Sequence, residues 1–139
     1  MATTTVNNIS EESQDYSPYR NIGIEFGFIM LMTAILGVFF PSFIGLNLSF
    51  MHCLILGVSG GLSVYGGFDK NPRQAYHINM GLGIFFLLNA GIGYLVGDPG
   101  LPRYGFYSAD QLNKMAPGFL ELATTDHLVH LLLAVVFFC

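Results

Sequence analysis

Long apolar runs with almost no charged residue dominate this sequence. Three of them cover about residues 22–40, 46–68 and 77–96, and a fourth covers about residues 119–139. A helix that crosses the ~30 Å hydrocarbon core of a membrane needs about 20 such residues. Because lipid offers the backbone no hydrogen-bond partner, segments of this kind form helices and not open strands. The sequence therefore predicts an all-α fold, an integral membrane four-helix bundle with several membrane passes.

The composition supports a membrane protein and excludes one class of partner. Only 10% of the 139 residues are charged and 53% are hydrophobic, whereas a soluble domain has roughly 25% charged residues. The five Lys and Arg residues are outnumbered by nine Asp and Glu residues and form no basic patch. Nucleic acid is therefore not an expected partner, and membrane lipids are the expected surroundings.

The chain divides into a short polar segment and one membrane domain. Residues 1–20 are polar and lack the basic start and apolar core of a signal peptide, so we interpret them as an N-terminal arm before a domain of residues 21–139. Tyr and Phe residues follow the third run, and such residues favour the membrane interface. We therefore expect that connection to lie on the membrane surface, with a short helix around Asp110–Met115. Since no polar flank follows Cys139, we expect the native chain to continue.

The two halves of the membrane domain resemble each other. The run that begins at Gly27 aligns with the run that begins at Gly83, with glycine or alanine at three common positions. In the helices that follow, we interpret the likeness as placing His52 opposite His130. Two repeated helix hairpins related by a pseudo-twofold axis would produce such a pattern. A chance match between apolar helices is the alternative.

His52 and His130 are the first candidates for a cofactor site. An ionisable residue inside a membrane span is a functional candidate by default. An imidazole ring ligates iron or magnesium through one nitrogen while an acceptor holds the other. The alternative for His52 is a hydrogen bond across the bundle without any ligand. A haem held by both histidines would need the two rings to face each other at the same depth, and this hypothesis ranks behind a chlorophyll magnesium ligand.

Asp126 completes the candidate site. It stands four residues before His130, so both lie on one helix face, and its carboxylate could orient the His130 ring. The competing interpretation is that Asp126, or Thr125 before it, caps the fourth helix. His127 points about 100° away on a helix of 3.6 residues per turn, and we expect it at the membrane interface.

No catalytic or metal-binding pattern accompanies these residues. The sequence contains no nucleophile–base arrangement, phosphate loop or pair of catalytic carboxylates, so we predict that the protein is not an enzyme. Di-iron bundles use Glu-x-x-His patterns, and neither Glu25 nor Glu121 falls in one. We therefore predict no metal ion site.

Two short motifs resemble those of a known family. Asn47 precedes His52 by five residues at the opening of the second span, and Asp126 precedes His130 by four at the opening of the last. This layout resembles a family of small four-span bacterial membrane proteins of unknown function, frequent in cyanobacteria and actinobacteria. A further histidine that often occurs in that family is replaced by Leu48. The resemblance implies a multi-pass protein of a bacterial inner membrane or a thylakoid membrane, and it implies no activity.

Three functions are compatible with these features. The first is a non-catalytic accessory subunit that packs against a larger membrane complex. Its photosynthetic version has His52 or His130 as a chlorophyll magnesium ligand and aromatic faces against carotenoid, in a reaction-centre or antenna complex. The second is a free-standing small transporter, channel-like or stress-response membrane protein, which needs a polar path between the helices. The third is a haem protein with two histidine ligands.

Overall fold

The computed structural model describes residues 15–99, 112–116 and 120–139, and most of these residues are helical. Three helices are long and apolar enough to cross a membrane, and a fourth apolar helix is shorter. The structure thus supports a membrane protein with transmembrane helices. That the fourth helix also crosses the membrane stays a prediction. The helices are α1 (Ser17–Phe39), α2 (Phe50–Phe68), α3 (Pro72–Val96) and α4 (Thr124–Phe138).

The fourth predicted span differs most from the structure. Helix α4 has 15 residues, which at 1.5 Å per residue gives about 22 Å, less than the ~30 Å of hydrocarbon. Residues 120–123, predicted as its first turn, instead form a strand. The helix starts only at Thr124 because the preceding backbone pairs with another strand.

Three short strands lie before α4. Strand β1 (Asp98–Pro99) pairs antiparallel with β2 (Leu112–Ala116), which pairs antiparallel with β3 (Leu120–Ala123). The short helix predicted around Asp110–Met115 is therefore wrong where the structure describes it, since residues 112–115 belong to β2. Asp110 lies outside the described residues, as do residues 1–14 of the predicted N-terminal arm.

The bundle is built from two helix pairs, α1 with α2 and α3 with α4. Glycines let the members of a pair approach closely. A Cβ atom at Gly60 would lie 2.7 Å from the carbonyl oxygen of Gly27, and one at Gly83 would lie 2.8 Å from the ring of Phe138. A side chain at Gly60 would force α1 and α2 apart because it would meet backbone atoms, whereas one at Gly83 would require the Phe138 ring to shift.

Polar side chains mark the ends of the spans. Ser49 Oγ accepts the backbone N–H of His52 (3.3 Å) at the start of α2, and Asn71 Oδ1 accepts that of Arg73 (3.1 Å) at the start of α3. These are the usual N-cap interactions. At the other end of α2, Arg20 Nε donates to the carbonyl oxygen of Gly67 (3.1 Å). Caps extend α3 five residues beyond its predicted start.

The two ends of the bundle have different side chains. The end of α1, the start of α2, the end of α3 and the start of α4 meet at what we call the His52 end. The opposite end, called the Tyr19 end, has Tyr19 in edge-to-face contact with Tyr76, with ring centroids 5.0 Å apart. There Asn79 Nδ2 donates to the Tyr19 carbonyl oxygen (2.8 Å) and Ser63 Oγ approaches Asn79 Oδ1 (3.4 Å).

An apolar core separates the two ends. Phe86 is fully buried and packs in one cluster with Met30, Leu56 and Leu82. The outer surfaces of the four helices are also apolar, with large side chains such as Phe28 on α1 more than a third exposed. A helix that is apolar all round is typical of a membrane span.

The repeat hypothesis is only partly consistent with the burial pattern. The five buried residues of α1 align, at a constant offset of 56, with five buried residues of α3. In the second helices, the run from Asn47 is aligned with the run from Thr124. In this alignment His130 falls at the position of Cys53 and His52 at the position of Val129. The interpretation that His52 and His130 are equivalent positions is therefore wrong, although the two rings do meet.

Candidate functional site

The Asp126 carboxylate is the centre of a buried polar cluster at the His52 end. Asp126 is 0% exposed although it is an acid in the first turn of α4. Its Oδ2 accepts the backbone N–H of Ala123 (2.6 Å), directly before the helix. Both of its oxygens also approach the backbone N–H of Asn47, at 3.2 and 3.1 Å. The carboxylate thus joins the start of α4 to the segment that leads into α2.

Asn47 holds the same junction from the other side. Its Nδ2 donates to the backbone carbonyl of Glu121 on β3 at 2.7 Å, and its own carbonyl oxygen lies 2.8 Å from Nδ1 of His52. A carbonyl oxygen can only accept a hydrogen bond, so Nδ1 of His52 carries a proton. One asparagine therefore connects β3, α4 and α2.

His52 is oriented by this network. The ring is 2% exposed, and its Nδ1 is 3.8 Å from Asp126 Oδ1, too far for a hydrogen bond. The carboxylate instead attracts the ring electrostatically, and the Asn47 carbonyl already fixes the orientation of that ring. The hydrogen bond of the His52 ring is local, to the segment that leads into α2, and is not the bond across the bundle that the sequence left open as an alternative.

The His130 ring lies next to His52 without a polar partner. It is 3% exposed, and neither ring nitrogen makes a hydrogen bond. Its ring centroid lies 5.4 Å from that of His52, edge-to-face, and 5.2 Å from that of Phe86. The structure thus brings together His52, His130 and Asp126, the three residues proposed from the sequence.

The expected pairing of Asp126 with His130 is absent. Although the two residues share a face of α4, the carboxylate is turned towards the amides of Asn47 and Ala123. Two unsatisfied backbone N–H groups compete better for a buried carboxylate than one neutral imidazole, since each would cost ~1–3 kcal/mol if left unpaired. Asp126 does act at the helix start, as expected, but by reaching back from the third helical residue.

The arrangement of the rings does not fit a tetrapyrrole between them. Two imidazoles that bind one haem iron stand on opposite faces of a flat macrocycle, with the plane of the macrocycle between them. Here the rings touch edge-to-face at 5.4 Å, with Phe86 packed on His130. A chlorophyll magnesium would meet the same obstacle, because both rings are buried inside the bundle. As placed in this structure, His52 and His130 therefore do not fit either pigment.

The polar residues that a transporter could use do not form a continuous path through the bundle. Asn79 lies at the Tyr19 end, hydrogen-bonded to the Tyr19 backbone, while His52 and His130 lie at the other end. Fully buried Phe86 and its apolar neighbours fill the space between. Asn89 Nδ2 donates to the Phe85 carbonyl oxygen of its own helix (2.8 Å).

His127 is packed inside the bundle, and its place at the membrane interface stays a prediction. It is 5% exposed, and its ring lies edge-to-face against Tyr94, with centroids 5.9 Å apart. Neither of its ring nitrogens has a hydrogen-bond partner. Within the part of the chain that the structure describes, no three His, Cys, Asp or Glu side chains are grouped to hold a metal ion.

Sequence reasoning assigned no role to Asn47 beyond its spacing from His52. The signal that could have found it is an amide residue between a turn and an apolar helix, where backbone groups need partners.

Comparison with known proteins adds no assignment. No protein-family description, no curated protein and no solved structure matches this chain.

Proposed function

We propose that the protein is a non-catalytic integral membrane subunit that packs against a larger membrane complex. The observation that carries this proposal is an unused glycine pair on the outer face of α2. A Cβ atom at Gly61 would meet nothing within 4 Å, and one at Gly57 would make only ordinary contact with Ala34, at 3.8 Å. Glycines four residues apart let the backbone of a second helix approach closely in a membrane.

Another glycine pair of the chain shows how such glycines look when a second helix packs against them. Gly23 and Gly27 on α1 have the same spacing and lie against α2, where a Cβ at Gly27 would come within 2.9 Å of the Gly60 carbonyl oxygen. Among the described residues, nothing lies within 4 Å of a Cβ at Gly61, and Gly57 meets α1 only through the ordinary contact with Ala34. Exposed Leu54 and Tyr65 flank it on the same face of α2.

The polar cluster at the His52 end supports a structural and not a catalytic role. Its carboxylate, amide and imidazole groups bond mainly to backbone atoms of the same chain. A catalytic group must instead reach a substrate atom. In its narrower form, the proposal makes the partner a photosynthetic reaction-centre or antenna complex of a bacterial inner or thylakoid membrane, with chlorophyll and carotenoid supplied at the interface by the partner.

The test compares two glycine substitutions in the native membrane. Membranes are solubilised in a mild detergent, and the mass of the assembly that contains the protein is measured on native gels. We expect the wild-type chain in a large assembly and Gly61→Leu in a much smaller one. Gly81→Leu is the matched control, since Gly81 also faces open space but lies on α3, and it should leave the assembly intact.

Two results would contradict the proposal. One is a wild-type chain that migrates alone or only with copies of itself. The other is an assembly that Gly61→Leu leaves unchanged. The absorption spectrum of the purified assembly tests the narrower form separately, because a complex without chlorophyll bands excludes the photosynthetic partner and leaves the general proposal standing.

A further inference from the structure

A surface groove between α3 and α4 contains a buried polar group that the proposed function does not use. The groove has a volume of about 300 Å³, at the lower limit of small-molecule sites, ~300–1,000 Å³. Its walls are mostly apolar and include Leu87, Gly91 and Tyr94 from α3 with His127, Leu128 and Leu131 from α4.

His127 is the reason to expect a ligand and not lipid tails alone. Its ring is nine-tenths buried and both nitrogens lack a partner. The Asn89 backbone lies near the ring without a hydrogen bond of normal geometry to either nitrogen. A buried donor left unpaired costs the free energy of its lost hydration without compensation. An oxygen atom on a molecule in the groove would recover that energy, whereas an acyl chain would not.

The other lining groups restrict the chemistry of this molecule. Among the described residues of the lining, none carries a fixed charge, so a carboxylate or phosphate head would be desolvated without compensation. Thr124 adds a hydroxyl donor at the same end of the groove, and Tyr94 offers a flat ring surface. Donors beside an aromatic ring suit a neutral, planar headgroup with carbonyl oxygens. The leucines suit an apolar tail.

We propose that this groove binds a membrane-dissolved quinone. A carbonyl oxygen of the headgroup accepts a hydrogen bond from the His127 ring, and the tail lies over Leu128 and Leu131. The His127 nitrogens are closed to solvent, so the headgroup enters when the Tyr94 side chain, which is 59% exposed, rotates away from the imidazole. The proposal concerns binding only and involves no redox step. It does not depend on a partner complex.

The test uses purified full-length protein in detergent micelles and a benzoquinone with a decyl tail. Binding is followed by the imidazole resonances of nitrogen-labelled histidine, assigned by single substitutions. We expect the His127 signals to shift in a saturable way. Decylbenzene, which has the tail without the carbonyl groups, should leave them in place.

Variants separate the site from partitioning into the micelle. His127→Phe keeps a ring and removes the donor, and the loss of one hydrogen bond should weaken binding, measured by equilibrium dialysis, roughly tenfold. Gly91→Leu places a side chain in the open space of the groove and should weaken binding at least as much while the bundle stays folded. His77→Phe and Gly81→Leu, both exposed and outside the groove, should bind like the wild type.

Each result decides the proposal. It stands if His127→Phe and Gly91→Leu both lose affinity and the two controls do not. Equal affinity of all variants would show micelle partitioning only and overturn it. Equal binding of decylbenzene would also overturn it, because the groove would then bind apolar chains without recognising the carbonyl headgroup. Failure here would leave the proposed packing role untouched, since that role depends on Gly61 on another helix.

Discussion

The Asp126 carboxylate is expected to be the most sensitive side chain of the bundle. Replacing it with alanine removes the acceptor of two buried backbone N–H groups, those of Ala123 at 2.6 Å and Asn47 at 3.1 Å. Each group left unpaired costs ~1–3 kcal/mol, so Asp126→Ala should lower the free energy of unfolding by about 2–6 kcal/mol. Asp126→Asn retains one acceptor oxygen, so about half of this loss is expected.

The measurement is reversible unfolding of the purified protein by titration with a denaturing detergent, followed by the helical circular dichroism signal. Asp69→Ala is the control, because the Asp69 carboxylate accepts one backbone N–H, from Asn71, at an exposed turn. Exposed sites of this kind change stability by only about 0.5 kcal/mol. If Asp126→Ala unfolds within about 1 kcal/mol of the wild type, the two amides find other partners and the carboxylate does not hold the junction.

Three further predictions use the same unfolding measurement. Gly60→Ala should cost about 1–3 kcal/mol by forcing α1 from α2, whereas Gly61→Ala, next to it in open space, should cost nothing; equal losses would refute the close contact. Asn79→Ala should cost about 1–2 kcal/mol through loss of its bond to the Tyr19 carbonyl, and an unchanged midpoint would contradict this. His130→Leu should be neutral or stabilising because no hydrogen bond is lost, while His52→Leu should destabilise; a loss for His130→Leu as large as that for His52→Leu would show that His130 has a partner.

Hydropathy predicted the long helices but not their first residues. Runs of apolar residues identify the part of a helix that lies in hydrocarbon, and they predicted starts near residues 22 and 77. Helices α1 and α3 begin earlier, at Ser17 and Pro72, because a helix continues into the polar interface where hydropathy gives no signal. Helix α2 begins later than the predicted residue 46, at Phe50, because residues 46–49 form a non-helical lead-in. The start of α3 could have been predicted from the sequence, because Asn71 is an N-cap residue and Pro72 takes the first helical position.

The strands before α4 lay beyond such reasoning. Their backbone pairing joins residues 98–99, 112–116 and 120–123, and the short apolar stretch of β3 has the composition of a helix end. Hydropathy and periodicity describe a segment alone, whereas a strand of four residues exists only through its partner. The fourth predicted span therefore included residues 120–123, which belong to β3 and not to a helix.

The structure places the three predicted residues His52, His130 and Asp126 together, but their hydrogen bonds are not the predicted ones. Helical spacing placed Asp126 and His130 on one face and, from that, suggested that they pair. The structure keeps the shared face and gives the carboxylate to the Asn47 and Ala123 amides. Spacing along one helix cannot weigh a contact that comes from the lead-in of another helix, 79 residues away.

These bonds explain why acidic, amide and imidazole residues stand at the His52 end. The chain enters α2 through residues 46–49 and enters α4 through β3, and both lead-ins are mostly buried and non-helical. A buried backbone that leaves helical geometry carries N–H and C=O groups that lipid cannot satisfy. The side chain of Asp126 accepts such N–H groups and that of Asn47 donates to such a C=O group. His52 donates to another. The motifs that resemble a cofactor site thus satisfy the backbone at two helix entrances, and His130 is the member of the cluster for which this explanation provides no bond.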